Sequence, residues 1–316
     1  MDPVAVGIDI GGTKLVAATV AADGTVLTRH RRRTPARGEA DLVGELRELI
    51  AELTAEHAVD LPVGIGIAGL VSPDGDVRYG PNISIRDLQL RKQLADVTSA
   101  TITVVNDASA AALGEQRVGA AQGLEDVLMF TLGTGVGGGV VLGGRLVLGR
   151  FGFAGELGHL VVCEGGRACA CGNRGCVEAY ASGSAIGLTA RERLVDRSID
   201  SPLRDEVELT GREVTAAARG GDRFAQFVLE DAGRWLGVAA AGLVNALDAE
   251  LVLVGGGAAA SSAEWLLPAA RAAMAERLVG ADWREPPPVE LAQLGDDAGM
   301  VGAALLAAER HASTSR

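Results

Sequence analysis

Basic residues are in short supply: 29 Lys and Arg stand against 41 Asp and Glu, a formal charge of −12. That balance repels a nucleic-acid backbone or an anionic membrane surface, so the expected partners are small molecules, with no nucleic acid and no membrane. Long apolar runs are missing as well. The run WLGVAAAGLVNAL at 235–247, interrupted by no charge, falls short of a bilayer and reads as a buried Gly/Ala helix. No basic-plus-apolar leader opens the sequence at MDPVAVGIDI, which makes the cytoplasm the expected location. The pattern G-x-x-x-x-G-K-S/T is absent, which excludes a P-loop nucleotide site. Side chains suited to metal or redox chemistry are scarce, with four Cys and four His in 316 residues.

Glycine, by contrast, is abundant: the 44 glycines are about twice the ordinary usage of roughly 7%, which points to many tight turns. The length exceeds what one hydrophobic core usually serves, so two domains are expected. The scarce cysteines are not scattered. Cys163, Cys169, Cys171 and Cys176 all lie in GHLVVCEGGRACACGNRGCVE (158–178), beside His159. In a reducing compartment, clustered cysteines are metal ligands more often than disulfides, and zinc takes thiolate and imidazole ligands in a tetrahedron. Cys169 and Cys171 point to the same side of an extended segment, and Gly172 and Gly175 permit the turn that returns Cys176. The fourth ligand is His159 or Cys163; spacing does not separate them. Glu156 lies three residues before His159 and Glu178 two after Cys176, so a metal here would fix both carboxylates in space.

VAVGIDIGGTKLVAATVAADGTVL (4–27) reads as strand, Gly-Gly turn, strand, Asp-Gly turn, strand, and VLMFTLGTGVGGGVVLGGRLVL (127–148) repeats that plan, an internal duplication. Two such glycine loops, one per domain, would clasp phosphates with backbone N–H groups. ELVLVGGGAAASSAEWLL (250–267) runs from an apolar strand through Gly255, Gly256 and Gly257 into a helix, and glycines there let a flat ring approach the backbone. TITVVNDASAAALGEQ (101–116) takes a strand into an alanine-rich helix with Asn106 and Asp107 at the junction. Ligands of open α/β sheets bind at such junctions, and helix N-caps sit there too. Further helices are expected near 40–57 and 87–97, with a mobile surface loop at 194–206.

On these residues the chain resembles the ROK family of sugar kinases, and within it the bacterial ATP-dependent glucokinases, over nearly its whole length. The family's zinc motif places cysteines ten, twelve and seventeen residues after a histidine, as His159, Cys169, Cys171 and Cys176 are placed, which leaves Cys163 spare. The family's E-x-G-H is present from Glu156 to His159. The resemblance implies an α/β, two-lobed actin-like ATPase fold (sugar kinase/ribonuclease H-like) with the active site in the interlobe cleft. Residues 1–109 plus 299–316 would form the smaller α/β domain, and residues 110–298 the larger one with the zinc motif. It further implies ATP, Mg2+ and a structural Zn2+, phosphoryl transfer from ATP to the 6-hydroxyl of glucose, and a homo-oligomer, dimer or tetramer. Asp9 would orient the magnesium shell, while Gly11, Gly12, Thr13 and Lys14 approach the nucleotide phosphates. Thr134, Gly135, Gly137 and Gly138 would form the opposing loop, and Gly255, Gly256 and Gly257 would take the adenosine. Asp107 would be the base, with sugar hydroxyls falling to Asn82, Asn106, Glu156, His159 and Glu178 and with Gly69 beneath the sugar.

In one place the sequence departs from that pattern. Ile85 stands where these glucokinases carry a tryptophan after the Pro-Asn segment, which is expected to open the pocket's edge to a bulkier substituent. The rival readings are a ROK kinase for another hexose or N-acetylhexosamine (N-acetylglucosamine, N-acetylmannosamine, mannose), a polyphosphate-dependent kinase, and a sugar-sensing repressor. Such repressors carry an N-terminal helix-turn-helix, for which a phosphate loop beginning at Asp9 leaves no room. The one basic cluster, RHRRR (29–33), reads as a solvated strand edge.

Overall fold

The computed structural model describes residues 1–35, 38–55, 57, 60–80, 83 and 85–314. The chain divides into two compact units, one of Met1–Glu125, Gly139–Gly155 and Asp296–Arg316 and the other of Asp126–Gly138 and Glu156–Gly295.

In the first unit β1 (Pro3–Ile10) and β2 (Lys14–Ala21) form the expected antiparallel hairpin. The third strand, β3 (His30–Arg33), begins later than the Asp-Gly turn predicts. Asp23 takes the Thr25 N–H at 3.0 Å to close a tight turn, and the Thr28 hydroxyl takes the Thr19 N–H at 3.1 Å in place of a strand partner. α1 (Glu39–Thr54) lays Leu42, Leu46, Leu49, Ile50 and Leu53 into the core of this unit. Then follow β4 (Val63–Ile67), β5 (Leu70–Val71), β6 (Val77–Gly80), β7 (Ile85–Leu88), the short α2 (Leu90–Gln93), β8 (Ile102–Asn106) and α3 (Asp107–Val118). The main sheet has the order β3-β2-β1-β4-β8, with β1, β4 and β8 parallel, and β5-β6-β7 form a smaller sheet. The helix expected at 87–97 shrinks to α2 because β6 claims the preceding residues, pairing Tyr79 with Arg86 and Val77 with Leu88. The basic cluster lies largely in β3, the edge strand as expected, where Arg32 spends its charge on Glu45 and Glu52 of α1.

The later elements are β9 (Val127–Leu132), β10 (Val136–Leu142), β11 (Arg145–Leu146), α4 (Glu178–Ala181), α5 (Gly183–Arg193), α6 (Gly211–Arg219), α7 (Arg223–Leu247), β12 (Leu251–Gly255), α8 (Gly257–Ala275), β13 (Val289–Leu291) and α9 (Ala298–Thr314). Their sheet runs β11-β10-β9-β12-β13, with β9, β12 and β13 parallel. Strand for strand this repeats the plan of the first sheet, as a duplication requires. The helix read at 235–247 is the end of α7, buried along one face and exposed at Gly242, Asn245 and Ala246, and Gly233 and Gly237 let α8 approach so closely that a Cβ would lie 2.2 and 2.3 Å from the Leu266 and Ala270 carbonyl oxygens. The 194–206 segment is not a free loop: the Arg204 guanidinium donates to the carbonyls of Leu194, Asp196 and Ile199 at 2.8, 3.0 and 2.7 Å.

α9 closes the first unit, and backbone contact is the reason. A Cβ on Gly64 of β4 would lie 1.8 Å from the Ala303 carbonyl oxygen, and one on Gly302 would lie 1.8 Å from that of Ala110 in α3. Because α3 packs on α9 in this way, the division falls at 125/126 and not at the expected 109/110, which would have cut α3. Among the described residues no helix is long and apolar enough to cross a membrane.

Candidate active site

In the first unit the polar residues collect at the carboxyl ends of the parallel strands. Asp9 pairs in register with Gly66, Gly66 pairs with Val105, and Asn106 and Asp107 follow directly. Asp9 and Asp107 are half-buried. Burial pushes the Asp9 carboxyl up to about 7, the charges of Asp107 and Asp296 push it the same way, and Lys14 only partly offsets them. Burial also raises the Asp107 carboxyl, against the pull of the Ala108 N–H, which donates to its Oδ1 at 2.9 Å. Oxygen donors carrying an excess of negative charge are what a hard divalent cation such as Mg2+ relieves, so Asp9 fits the expected magnesium role.

The turn after β1 is closed by the Gly11 N–H, which donates to the Lys14 carbonyl at 3.0 Å, and braced by the Thr34 hydroxyl, which donates to the Gly11 carbonyl at 2.6 Å. Gly12, Thr13 and Lys14 are exposed, and Lys14 Nζ meets Asp296 Oδ2 at 2.9 Å. Asn106 is the N-cap of α3: its Oδ1 accepts the Ser109 N–H at 2.9 Å, and its Nδ2 donates to the Gly69 carbonyl at 3.1 Å. A carboxamide has two donors and two lone pairs, so both ends retain capacity for a ligand. Gly69 itself is dictated by packing, since its φ is 144° and a Cβ would lie 2.1 Å from the Tyr79 carbonyl oxygen. Asn82 lies outside the described residues. Ile85 is only 2% exposed and packs into the unit's core, while Arg86 and Asp87 after it are both exposed, Asp87 at a φ of 51° that breaks the strand's alternation.

In the second unit the β9–β10 turn is Gly133–Gly135, shorter than expected, because Gly137 and Gly138 already belong to β10. Beside it opens a cavity of about 960 Å³, lined by Gly133, Thr134 and the amino ends of α5 (Gly183, Ser184), α6 (Gly211, Arg212) and α8 (Gly257, Ala258). Helix amino-termini present N–H groups and the positive end of the dipole, which suits phosphate. Ser182 and Thr210 cap α5 and α6 with their side chains, whereas Gly256 leaves α8 without a side-chain cap. Of the three expected adenosine glycines only Gly257 lines the cavity. Gly255 ends β12, and Gly256, the N-cap of α8, is dictated by packing, since its φ is 88° and a Cβ would lie 2.3 Å from the Leu132 carbonyl oxygen. Gly183 and Gly211 carry no hairpin motif. Their signal in the sequence is a cap residue followed by glycine, spelled most clearly by the capping box from Thr210 to Glu213.

His159, Cys169, Cys171 and Cys176 offer ligand atoms that all lie within 4.8 Å of one another. Cys169 Sγ is 3.6 Å from His159 Nδ1, and Cys171 Sγ is 3.7 Å from Cys176 Sγ. Tetrahedral zinc, with Zn–S of about 2.3 Å and Zn–N of about 2.0–2.1 Å, requires S···N of about 3.6 Å and S···S of about 3.8 Å, so the donor set fits. Cys163 stays outside, its carbonyl packed on Gly175, where a Cβ would lie 1.7 Å away. Burial pushes the Cys169 thiol up to about 12, so a cation is needed before that residue gives up its proton. Glu156 Oε2 lies 3.8 Å from His159 Nε2, the ring nitrogen turned away from the thiols. Glu178 receives the Val136 N–H on Oε2 at 2.9 Å, and its Oε1 lies 3.5 Å from Cys169 Sγ.

One unit thus carries a half-buried carboxylate pair and an exposed glycine turn. The other carries a His/Cys cluster flanked by carboxylates and a cavity faced by helix amino-termini. These are parts suited to phosphoryl transfer onto a hydroxylated acceptor. The family model for the ROK family matches residues 5–310. A glucokinase of Streptomyces coelicolor is 37% identical over 315 residues, covering 96% of this chain and 97% of that protein. An N-acetylmannosamine kinase of Escherichia coli is 34% identical over 309 residues, covering 95% and 97%. The crystal structure of a ROK family glucokinase from Streptomyces griseus in complex with glucose and AMPPNP is similar at a TM-score of 0.82 and 38% identity, covering 96% of this chain and 99% of that one. This chain therefore belongs to the ROK family and has the actin-like ATPase fold of its sugar kinases.

Proposed function

We propose that the protein is a glucokinase that transfers the γ-phosphoryl group of ATP to the 6-hydroxyl of glucose. The observation that carries this reading is Asp107, a half-buried carboxylate of raised pKa at the carboxyl end of parallel strands, in a chain 37% identical to a glucokinase over nearly its whole length. Phosphoryl transfer asks for an aligned hydroxyl, relief of phosphate charge and a group that takes the hydroxyl proton. Asp107 takes that proton on Oδ2, the oxygen not engaged by the Ala108 N–H, and its raised pKa makes it the better acceptor. Asn106, held between Ser109 and Gly69, orients a neighbouring hydroxyl, and Asn82, Glu156, His159 and Glu178 read the others.

The nucleotide phosphates meet Gly11, Gly12, Thr13 and Lys14, together with Thr134, Gly135 and the uncapped end of α8, and the adenosine lies against Gly257. Lys14 exchanges an exposed ion pair with Asp296 for a phosphate oxygen, a trade that costs little because such pairs are weak. Mg2+, when bound, neutralises phosphate charge, and Asp9 orients its hydration shell. Zn2+ held by His159, Cys169, Cys171 and Cys176 supplies rigidity to Glu156 and Glu178. A coupled assay with glucose and Mg-ATP tests the reading: activity lost in Asp107→Asn with glucose binding retained supports it, and full turnover in that variant refutes it. A second reading, an N-acetylmannosamine kinase, is favoured by the 34% identity to the Escherichia coli enzyme and is separated by a sugar panel.

A further inference from the structure

We propose that Glu178 is a strut that ties the zinc cluster to the phosphate loop, one carboxylate oxygen holding the loop backbone for ATP while the other reads a sugar hydroxyl. The proposal rests on the assignment of residues 133–136 to the ATP phosphates. Glu178 opens α4 two residues after the ligand Cys176, so the cluster fixes where its backbone lies. Its oxygens face two different neighbours. Oε2 accepts the N–H of Val136, the first residue after the Gly133–Gly135 turn, at 2.9 Å, and Oε1 stands 3.5 Å from Cys169 Sγ.

The other side of the same residue is gripped as well. A Cβ on Gly158, the glycine next to His159, would lie 1.9 Å from the Val136 carbonyl oxygen, so Val136 is clamped by two segments of the metal knuckle. Gly135 completes the fit, since a Cβ there would lie 2.4 Å from Glu178 Oε2 and would displace the carboxylate. Oε1, which does not touch the loop, is the oxygen that accepts from a sugar hydroxyl. Oε2 remains on the loop. A sugar seated on one oxygen therefore orders the group that orders the loop, and by linkage sugar and nucleotide strengthen each other's binding. A carboxylate that served the sugar alone would leave nucleotide affinity untouched.

The test uses the full-length, zinc-replete protein as wild type, Glu178→Ala and Glu178→Gln, with zinc content measured for each. Calorimetry then gives the affinity for Mg-AMPPNP without and with glucose. Glutamine keeps an acceptor for the Val136 N–H and alanine does not. Expected are about tenfold weaker nucleotide binding in Glu178→Ala with no sugar present, near wild-type binding in Glu178→Gln, and zinc retained in both. Glucose should tighten the nucleotide in wild type and leave it unchanged in Glu178→Ala. Gly135→Ala should weaken the nucleotide in wild type yet add nothing in the Glu178→Ala background, because the clash partner is gone. Unchanged nucleotide affinity in Glu178→Ala, with only glucose binding lost, overturns the strut and leaves a sugar ligand. Zinc lost from Glu178→Ala overturns it too, in favour of a cluster support. A wild-type protein that fails to bind Mg-AMPPNP overturns the loop assignment itself, and the strut with it.

Discussion

Replacing Asn106 by alanine removes two hydrogen bonds whose partners are known, and the cost can be worked from them. The first is the cap on α3, the Ser109 N–H at 2.9 Å, and losing such a cap costs about 1 kcal/mol. The second is the tether to the Gly69 carbonyl at 3.1 Å, for a further ~1 kcal/mol. Serine restores the cap, because its hydroxyl accepts the same N–H, but it is too short to restore the tether. The ladder is then wild type, Asn106→Ser about 1 kcal/mol below it, and Asn106→Ala about 2 kcal/mol below. At about 2–4 °C per kcal/mol for a domain of this size class, calorimetry should show midpoints lowered by about 2–4 °C and 4–8 °C. Both variants lose the carboxamide, so both should raise the KM for glucose, and serine should rescue stability without rescuing the sugar. If serine restores both, Asn106 is a cap and nothing more. If alanine costs less than about 0.5 kcal/mol, the hydrogen-bond accounting is refuted.

Three other outcomes are expected. Metal analysis should find one zinc per chain, retained in Cys163→Ser and lost in Cys176→Ser, since Cys163 lies outside the cluster. Asp107→Asn should bind glucose while turnover falls by roughly a hundred- to ten-thousandfold, as removal of a general base does; a fall of less than tenfold in a coupled assay removes Asp107 from the chemistry. Asp9 sets a pH dependence of stability. Its carboxyl is raised from 3.8 to about 7 on folding, so within that window the folded chain keeps a proton that the unfolded chain has lost, and stability falls as pH rises. Without magnesium, Asp9→Asn should flatten that slope and be the more stable protein at alkaline pH, by at most about 4 kcal/mol and less for the group's partial exposure. A denaturation series in which the wild type shows no such slope contradicts the burial argument.

The cluster of His159, Cys169, Cys171 and Cys176 was legible because tetrahedral coordination constrains spacing within a short segment, and only the choice between His159 and Cys163 needed more than spacing. The strand ends bearing Asp9 and the Asn106-Asp107 pair were legible from apolar runs that stop at polar residues. What stayed hidden depends on pairing between distant segments. The strand that places Ile85 in the core is set by pairing with β6, and the assignment of α3 to the first unit is set by contact with α9. The backbone that makes Gly256 necessary belongs to β9, a strand more than a hundred residues earlier. The amino ends of α5 and α6 reach the cavity from segments whose own sequences signal only helix caps.

The central claim, glucose as the acceptor, is tested most directly by kcat/KM for glucose, mannose, N-acetylglucosamine and N-acetylmannosamine under one set of Mg-ATP conditions. A mismatched hydroxyl leaves buried polar groups unpaired, and such polar readout discriminates more strongly than apolar fit. Glucose should therefore give the highest value, with mannose and the 2-substituted sugars lower. An acetylated hexosamine that exceeds glucose would contradict the glucokinase reading.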